Sequence, residues 1–255
     1  MNGISILPAG YTAALHHACS YLANRGYQIA TEASANVTHL LLPVPSFEAD
    51  GRIRGGGILE QILTSLPKDI TVIGGNLNHP ALEGYQRLDL LQDEEYVARN
   101  AAITADCAIR LAGSQLPVTW EDCRVLILGW GRIGKCLACQ LKAMGAKVIV
   151  SARKPSELAM LHALGYGSIH TASPEAKLPH CRVIFNTIPH PVLSQEQSAL
   201  CQTECIMIDL ASQKGMDGKN VIHARGLPGK DTPESSGILM AKTTIRLIAE
   251  KEHRL

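Results

Sequence analysis

A glycine motif between an apolar strand and a helix constrains the fold of this chain more than any other feature. Residues 125–128 are Val-Leu-Ile-Leu, typical of a buried strand, and they lead directly into Gly-Trp-Gly-Arg-Ile-Gly at 129–134. The pattern that follows predicts a helix over 135–144, ended by Gly145, and then a second apolar strand over 147–150. A strand, a Gly-x-Gly-x-x-Gly turn, a helix and a strand within about 30 residues indicate a dinucleotide-binding α/β unit.

Each glycine of this motif has a separate physical role. Gly129 permits the tight turn, Gly131 lets a pyrophosphate approach the backbone, and Gly134 lets the helix pack closely on the strand. The free N–H groups and the dipole at the start of the helix then favour phosphate binding. We therefore predict a cofactor site that includes Gly129, Trp130, Gly131, Arg132, Ile133 and Gly134. The alternative is a glycine-rich turn in an α/β domain that binds no nucleotide.

The overall composition argues against several other classes of protein. The chain has 255 residues, of which 46% are hydrophobic and 18% are charged, and its formal net charge is +1. Such a balanced charge provides no broad basic field for nucleic acid or for a membrane surface. No apolar run reaches the roughly 18 residues of a membrane span, and residues 1–10 do not resemble a signal peptide. We expect a cytoplasmic protein that binds neither nucleic acid nor membrane.

The eight cysteines lie mostly in apolar segments, where reduced thiols pack well in a cytoplasmic protein. Cys136 and Cys139 form a Cys-x-x-Cys pair on the helix after the glycine turn, and no second pair at zinc-finger spacing accompanies them. Small packing residues explain this pair better than a redox or zinc site. We predict no metal site.

Short strands alternate with helices along the chain, which predicts two α/β domains with parallel sheets joined by a long helix. Residues 1–95 are expected to form a small substrate-side domain, and 120–229 a Rossmann-type, doubly wound dinucleotide-binding domain. Residues 96–119 supply the bridging helix and linker, and a C-terminal helix in 230–255 packs back towards the first domain. We expect the active site between the domains, at the carboxyl ends of both sheets.

The residues after the second strand of the glycine unit bear on the choice of cofactor. An NAD-specific site would place Asp or Glu there, about 20 residues beyond the first glycine, to bind the ribose hydroxyls. This chain has Ser151, followed by Arg153 and Lys154, and a hydroxyl with two cations suits a 2′-phosphate instead. We predict NADP, with NAD as the alternative; a solvated basic loop is the competing interpretation.

Two later strands end in polar loops where a nicotinamide ring would rest. Residues 183–185 lead into Asn-Thr-Ile-Pro-His-Pro, and 206–208 lead into Asp-Leu-Ala-Ser. These exits add seven residues to the predicted cofactor site: Asn186, Thr187, Ile188, Pro189, Asp209, Leu210 and Ala211.

The order and spacing of the later loops resemble the dipicolinate synthase A-subunit family. The motifs that carry the resemblance are Asn-Thr-Ile-Pro at 186–189, Asp-Leu-Ala-Ser at 209–212 and Gly-Leu-Pro-Gly at 226–229, followed by Pro233 and Gly237. Leu-Leu-Pro-Val-Pro at 41–45 and Gly-Gly-Asn at 74–76 resemble the first domain of that family. The likeness spans most of the chain and is closest from Arg124 to Gly237.

The resemblance implies an NADP-dependent oxidoreductase that transfers hydride between a cyclic dihydrodipicolinate-type dicarboxylate and NADP during endospore formation. It also implies a partner, the flavoprotein-like B subunit, and we expect a homo-oligomer. The chain departs from the family on the substrate side. Gln213 and Lys214 begin a stretch where the family has Arg-Pro-Gly-Gly, and Arg225 and Glu234 stand where the family has Pro and Lys.

The catalytic groups are less clearly marked than the cofactor site. His190 is the first candidate for proton transfer, because it follows the Asn-Thr-Ile-Pro loop and histidine titrates near neutrality; an exposed loop histidine is the alternative. Asp209 is a second candidate, with turn capping as the alternative. Lys214 is the third, and with Arg225 it is predicted to bind the substrate carboxylates, to which Asn76 adds a further contact.

Two other functions compete with this one. The first is an NAD(P)-dependent dehydrogenase for another small acid, such as a 2-hydroxy acid. The 2-hydroxy-acid dehydrogenases use a catalytic relay of Arg, Glu and His in their cofactor domain, and these three residues have no identifiable positions here. The second is a non-enzymatic NADP-binding or sensor protein, which the weak catalytic constellation favours.

Overall fold

The computed structural model describes residues 3–252, which form eleven β-strands and eight α-helices. In chain order these elements are β1 (Ser5–Pro8), α1 (Ala13–Asn24), β2 (Gln28–Ile29), β3 (His39–Leu41), α2 (Leu59–Thr64), β4 (Thr71–Gly74), β5 (Gln86–Asp89), α3 (Glu94–Gly113), β6 (Arg124–Leu128), α4 (Arg132–Ala143), β7 (Lys147–Ala152), α5 (Pro155–Ala163), β8 (Gly167–His170), β9 (Val183–Asn186), α6 (Gln195–Ser198), β10 (Ile206–Asp209), β11 (Val221–His223), α7 (Leu227–Asp231) and α8 (Pro233–Glu252).

The elements belong to two compact units. One contains the described residues up to Asn100 together with those from Pro228 onward, and the other contains Ala101–Leu227. Residues 1–2 of the predicted first domain and residues 253–255 of the predicted C-terminal helix lie outside the described residues.

The first unit is built on a five-stranded parallel sheet. Its strand order, β2-β1-β3-β4-β5, is the flavodoxin-like order of doubly wound folds. α1 begins at Thr12, whose hydroxyl accepts a hydrogen bond from the Leu15 N–H at 3.1 Å, and it buries Leu15, Ala18 and Leu22. The sequence does not predict β5, because Gln-Arg-Leu-Asp lacks an apolar run; such a polar strand suits its place at the edge of the sheet.

The helix at the end of the described chain, α8, completes the first unit by packing against α1. A Cβ atom built at Gly237 would lie 2.3 Å from the carbonyl oxygen of Ala14 and 2.7 Å from Cβ of His17, so only glycine allows this approach. Further along α8, Arg246 contacts the carboxylates of Asp93 at 2.6 Å and Glu95 at 3.2 Å. Close packing against α1 and an ion-pair network therefore hold α8 within this unit.

We expect Arg246→Met to destabilise the first unit at neutral pH but not in strong acid. Burial raises the pKa of Asp93, but hydrogen bonds from Arg246 and from backbone N–H groups outweigh burial and hold the pKa below its usual value. A carboxylate with a lowered folded-state pKa stabilises the fold above its unfolded-state pKa, and this contribution is lost as the pH falls through the folded-state pKa. The variant should lower the free energy of unfolding by roughly 1 kcal/mol at neutral pH.

Urea unfolding measures the free energy of unfolding at neutral pH and at a pH well below the ordinary carboxyl pKa. Arg99→Met is the matched control, because it removes an exposed pair with Glu95 on α3 and should have a smaller effect. An equal loss of stability at both pH values would show that Arg246 acts through its aliphatic stem and not through its charge.

The second unit contains a six-stranded parallel sheet in the order β11-β10-β9-β6-β7-β8. Read from the β8 edge, this is the 3-2-1-4-5-6 order of the Rossmann fold, so the predicted fold class is confirmed. Both faces of β6 are buried: Val125 and Ile127 belong to the cluster that includes Leu137 of α4, and Leu126 and Leu128 belong to the cluster on the other face. This two-sided burial explains the unbroken apolar run of the strand.

The carboxyl ends of the central strands form one register row. Leu128 pairs with Ser151 of β7 and with Asn186 of β9. Asn186 pairs with Asp209 of β10, which pairs with His223 of β11. The sequence places Asn186 and Asp209 in loops, but they are the last residues of their strands. The row therefore brings the polar strand exits to the edge of the sheet where doubly wound folds bind ligands.

Two other boundaries differ from the predicted ones. α4 begins at Arg132, with Gly131 as its N-cap, so Arg132, Ile133 and Gly134 form its first turn and not a preceding loop. The predicted loop at 226–229 contains the start of α7, because Pro228 occupies the second position of that helix, where its missing N–H costs nothing.

Candidate functional site

A cavity of about 790 Å³ lies beside the glycine motif, at the carboxyl ends of the strands in the second unit. It is enclosed by the glycine turn, the end of β7 and the loops after β8 and β9. Of the predicted site residues, the cavity lining brings together Gly129, Trp130, Gly131, Ser151, Arg153, Thr187, Ile188, Pro189 and His190. Among the described residues, the other predicted cofactor residues do not line the cavity: Arg132, Ile133, Gly134, Lys154, Asn186, Asp209, Leu210 and Ala211.

The three glycines of the motif have the separate surroundings that a dinucleotide site requires. Gly129 has a φ of 107°, and a Cβ atom there would lie 2.6 Å from Oγ1 of Thr187. A Cβ atom at Gly134 would lie 2.1 Å from the carbonyl oxygen of Gly129, so this glycine lets α4 approach the turn. Nothing lies within 4 Å of a Cβ atom built at Gly131. This open face beside the N-terminus of the 12-residue α4 fits a pyrophosphate group.

Trp130 forms part of the cavity wall and is held by contacts outside it. Its ring meets that of Tyr166 edge-on, with 5.9 Å between the ring centroids. The Lys135 ammonium lies 5.7 Å from the centroid of the Trp130 ring. The indole is therefore fixed beside the glycine turn.

Ser151 has a different role from the predicted one. Its side chain is fully buried, and its Oγ accepts hydrogen bonds from the Gly129 N–H at 3.2 Å and from the Thr171 hydroxyl at 3.1 Å. These bonds form because β7 runs on to Ala152, which keeps Ser151 inside the sheet. The hydroxyl thus holds the glycine turn and is not presented to a 2′-phosphate.

Charged groups beyond the end of β7 border the same cavity. Arg153 is exposed, and its carbonyl oxygen lies 3.1 Å from Nε2 of His170. Nδ1 of His170 accepts from the Ala172 N–H at 3.2 Å, so Nε2 carries the proton and donates to Arg153. The Glu157 carboxylate accepts from the Lys154 N–H at 3.4 Å. Sequence reasoning missed His170, because polar β8 gives no strand signal, and Glu157, whose only signal is its spacing at the start of α5.

Asn186 and Asp209 form a buried hydrogen-bond network below the loops. The Asn186 amide donates to Oδ1 of Asp209 at 2.8 Å and to the Ile188 carbonyl oxygen at 3.1 Å, and its oxygen accepts from the Ile188 N–H at 2.9 Å. Asp209 also accepts from the N–H groups of Gly215 at 2.8 Å and Met216 at 3.2 Å. Both residues therefore fix backbone segments and do not face the cavity.

The loop after β10 is held close to the loop after β9. The Ala211 N–H donates to Oδ1 of Asp209 at 3.2 Å, which gives each carboxylate oxygen two donors. A Cβ atom at Gly215 would lie 2.2 Å from the amide nitrogen of Asn186 and 2.8 Å from the His190 carbonyl oxygen. This geometry supports the turn-capping role of Asp209 over the catalytic one, because the buried carboxylate already accepts four hydrogen bonds and also lies 3.5 Å from Nδ1 of His223.

Of the remaining candidates, His190 lines the cavity, whereas Lys214 and Arg225 do not. His190 is exposed at its lining, but the Lys214 ammonium pairs with the Asp217 carboxylate at 2.7 Å on the surface. Arg225 is exposed in the turn between β11 and α7. Lys214 thus has a local partner three residues away, and neither Lys214 nor Arg225 lines the cofactor cavity, so their predicted contact with substrate carboxylates stays a prediction.

Asn76 belongs to the first unit, where backbone geometry explains its presence. It has a φ of 57°, which asparagine tolerates better than other residues with a side chain. Its N–H donates to Oδ1 of Asp89 at 3.1 Å, and the Leu77 N–H donates to Oδ2 at 2.8 Å. A turn role accounts for Asn76 without a substrate.

In residues 3–252, no group of three or more His, Cys, Asp or Glu side chains is placed to hold a metal ion. No helix in this range is long and apolar enough to cross a membrane. The eight cysteines are free thiols, with Cys139 exposed and Cys136 half-buried on α4.

Comparisons with known proteins relate this chain to dehydrogenases. Residues 107–225 match the family described as D-isomer specific 2-hydroxyacid dehydrogenase, NAD binding domain. A curated relative, the A subunit of dipicolinate synthase from Bacillus subtilis (strain 168), is 29% identical over 169 residues, which cover 63% of this chain and 57% of the relative. The alignment thus spans less than two-thirds of that protein.

Two solved structures share the fold over almost the whole chain. The A subunit of dipicolinate synthase from Bacillus halodurans has a TM-score of 0.87 and 24% identity, covering 97% of this chain and 98% of its own. The A chain of dipicolinate synthase from Bacillus subtilis has a TM-score of 0.85 and 22% identity, covering 100% and 99%. The predicted resemblance to the A subunit of dipicolinate synthase is confirmed, and the matched domain supports an oxidoreductase with a nicotinamide cofactor.

Proposed function

We propose that this chain, which is similar to the A subunit of dipicolinate synthase and has a dehydrogenase-type NAD-binding domain, is an NADP-dependent oxidoreductase. Its substrate is a cyclic dihydrodipicolinate-type dicarboxylate. The observation that carries the cofactor assignment is the open face at Gly131, beside the N-terminus of α4 and within a 790 Å³ cavity, whereas the substrate class rests on the similarity to the A subunit of dipicolinate synthase. A dinucleotide needs all three features, because its pyrophosphate must meet backbone N–H groups at close range.

The residues of the chain bind and orient the reactants, while the nicotinamide cofactor supplies the hydride chemistry. The α4 N-terminus and Gly131 bind the pyrophosphate, and Ser151 keeps the turn in position through the Gly129 N–H. The loop after β9 lines one side of the cavity with Thr187, Ile188 and Pro189. They are held there by the Asn186 network, which fixes the Ile188 backbone through both of its polar groups.

His190 remains the residue we assign to proton transfer. It is exposed in the cavity lining, directly after the wall that would face the nicotinamide. Its backbone is held in place by close packing on Gly215. An accessible imidazole fixed beside the reacting ring can exchange a proton with the substrate, which the buried Asp209 carboxylate cannot.

The preference for NADP depends on Arg153. It contributes the only guanidinium or ammonium group among the described residues of the cavity lining, and it is exposed. A planar guanidinium can bind a 2′-phosphate through two parallel hydrogen bonds. Glu157, in the same lining, favours NAD as the second candidate, because a carboxylate binds ribose hydroxyls and repels a 2′-phosphate.

Arg153→Ala should weaken NADPH binding about 10- to 150-fold, the loss expected for a charge-assisted contact of roughly 1.5–3 kcal/mol. NADH binding should change little, because NADH has no 2′-phosphate. Isothermal titration calorimetry with both cofactors measures the two affinities. Glu157→Gln is the companion variant, and it should strengthen NADPH binding by removing a repulsive charge. Equal losses for both cofactors in Arg153→Ala would contradict a role in 2′-phosphate recognition.

Turnover with NADP and the cyclised adduct of aspartate semialdehyde and pyruvate tests the activity itself, with NADPH formation as the readout. A panel of 2-hydroxy acids is the comparison, because the matched family acts on that substrate class. Turnover of a 2-hydroxy acid alone would reassign the substrate. NADPH binding without turnover of any acid would favour a sensor. The partner we propose is a flavoprotein-like B subunit, in a cytoplasmic homo-oligomeric enzyme.

A further inference from the structure

A second cavity, of about 510 Å³, lies at the opposite edge of the six-stranded sheet from the cofactor cavity. It is formed where β6, β7 and β8 begin, together with the end of α4 and the segment before β9. In doubly wound folds the carboxyl edge of the sheet carries the main ligand site, so a cavity at the amino edge is not explained by the proposed activity.

The charges around this second cavity are all of one sign. Its lining contains Arg124, Lys142, Lys147 and Lys177, with His180 beside them. None of the described residues in the lining is an aspartate or glutamate. Four permanent positive charges around a cavity of this size repel one another, and a bound anion would relieve that repulsion.

Contacts within the protein hold one of these cations, Lys142, in place. The Lys142 ammonium donates to the Leu164 carbonyl oxygen at 2.6 Å and lies 4.8 Å from the centroid of the Tyr166 ring. Burial raises the pKa of the Cys181 thiol to about 11, and the positive charges of Arg124 and Lys177 act against that rise. The four cations of the lining come from β6, α4, β7 and the segment before β9, so positive charge reaches the cavity from different elements.

The wall of the cavity also offers apolar surface. Tyr166, Val148 and Ile149 belong to its lining, next to the four cations. The adjoining cavity shares Arg124, Lys147 and His180 but includes Asp122 and Glu204. Asp122 and Glu204 thus line only the adjoining cavity. The amino-edge cavity, at about 510 Å³, is large enough for a small ligand.

We propose that this amino-edge cavity binds a polyphosphate group, carried by a nucleotide or by inorganic polyphosphate, independently of the cofactor. Adjacent phosphates match a convergent set of Arg and Lys side chains better than a single carboxylate does, because each phosphate offers several strong acceptor oxygens. The Tyr166 ring provides a stacking surface for the organic part of a nucleotide.

Calorimetric titration of inorganic tripolyphosphate into NADPH-saturated protein tests the proposal. We expect one ion per chain, with an affinity that falls as salt is added. The double variant Lys147→Gln/Lys177→Gln should bind at least about 30-fold more weakly, because it removes two charge-assisted contacts. Lys219→Gln, an exposed lysine elsewhere in the second unit, should leave binding unchanged. Lys142 is left intact, because its ammonium caps a backbone carbonyl.

Titration with ADP, again under saturating NADPH, distinguishes the two sources of polyphosphate. Tighter binding of ADP than of tripolyphosphate would identify a nucleotide, and tighter binding of tripolyphosphate would identify an inorganic chain. Far-UV circular dichroism verifies that the variants are folded. No binding at millimolar tripolyphosphate would overturn the proposal, as would equal binding by the double variant. Tripolyphosphate that binds the cofactor-free protein but is displaced when NADPH is added would overturn it as well. A poly-glutamate peptide that binds where tripolyphosphate does not would also overturn it, in favour of an acidic protein partner.

Discussion

Gly131→Val should abolish NADPH binding and leave the protein folded. The backbone at Gly131 has a φ of −80°, which valine adopts without strain, and a Cβ atom there meets nothing within 4 Å. The added side chain therefore occupies only the open face in front of α4, where the pyrophosphate must lie. We expect NADPH affinity to fall by at least about 100-fold, the loss of roughly two charge-assisted contacts. The free energy of unfolding should change by less than about 0.5 kcal/mol.

The quenching of tryptophan fluorescence measures this loss directly, because Trp130 lines the cavity. Gly134→Val is the contrasting variant in the same motif. Its Cβ atom would lie 2.1 Å from the Gly129 carbonyl oxygen, so it should lower stability by about 1–3 kcal/mol or more through overpacking. A folded Gly131→Val protein with unchanged NADPH affinity would refute the assignment of this cavity to the cofactor.

Asp209→Ala should destabilise the second unit more than any surface substitution in it. The variant leaves four hydrogen-bond donors without their acceptor: the Asn186 amide and the N–H groups of Ala211, Gly215 and Met216. The site is almost completely buried, so water cannot replace the carboxylate. We expect the free energy of unfolding to fall by about 3–5 kcal/mol, the range for removing one partner of a buried charged network.

Asp209→Asn refines this test, because it preserves shape and removes the charge. One carboxylate oxygen becomes an amide NH2 group, which is itself a donor and would face the N–H donors that the oxygen accepted from. This variant should therefore also lose stability. Asp217→Ala is the control, since it removes an exposed carboxylate paired with Lys214 and should cost less than about 1 kcal/mol. Urea unfolding measures all three variants. An Asp209→Asn protein of full stability that lacks turnover would instead identify Asp209 as the catalytic base.

The glycine motif and the two-sheet fold were predictable because both depend on local pattern. The apolar run of β6, the glycine turn and the amphipathic α4 are contiguous, so one segment of sequence contains the whole signal. The two polar edge strands, β5 and β8, lack such a signal. Their pairing depends on a neighbouring strand and not on their own composition.

The roles of individual site residues depend on partners that are distant in sequence. Ser151 bonds to Gly129, 22 residues away, and Asn186 bonds to Asp209, 23 residues away. In the sequence each of these side chains looks like a polar group available to a ligand. In the fold, their hydrogen bonds are made to other parts of the protein. Lys214 is different: its partner Asp217 is three residues away, so spacing alone could have indicated the pair.

The first unit is discontinuous in sequence, and this has a consequence for biosynthesis. α1 is translated early, but α8, which packs against it, is translated only after the whole of the second unit. The face of α1 around Ala14 and His17 is therefore uncovered while the nascent chain lengthens through the Rossmann sheet. The second unit can therefore complete its sheet before the first unit closes on α8, although most of the first unit precedes it in the chain.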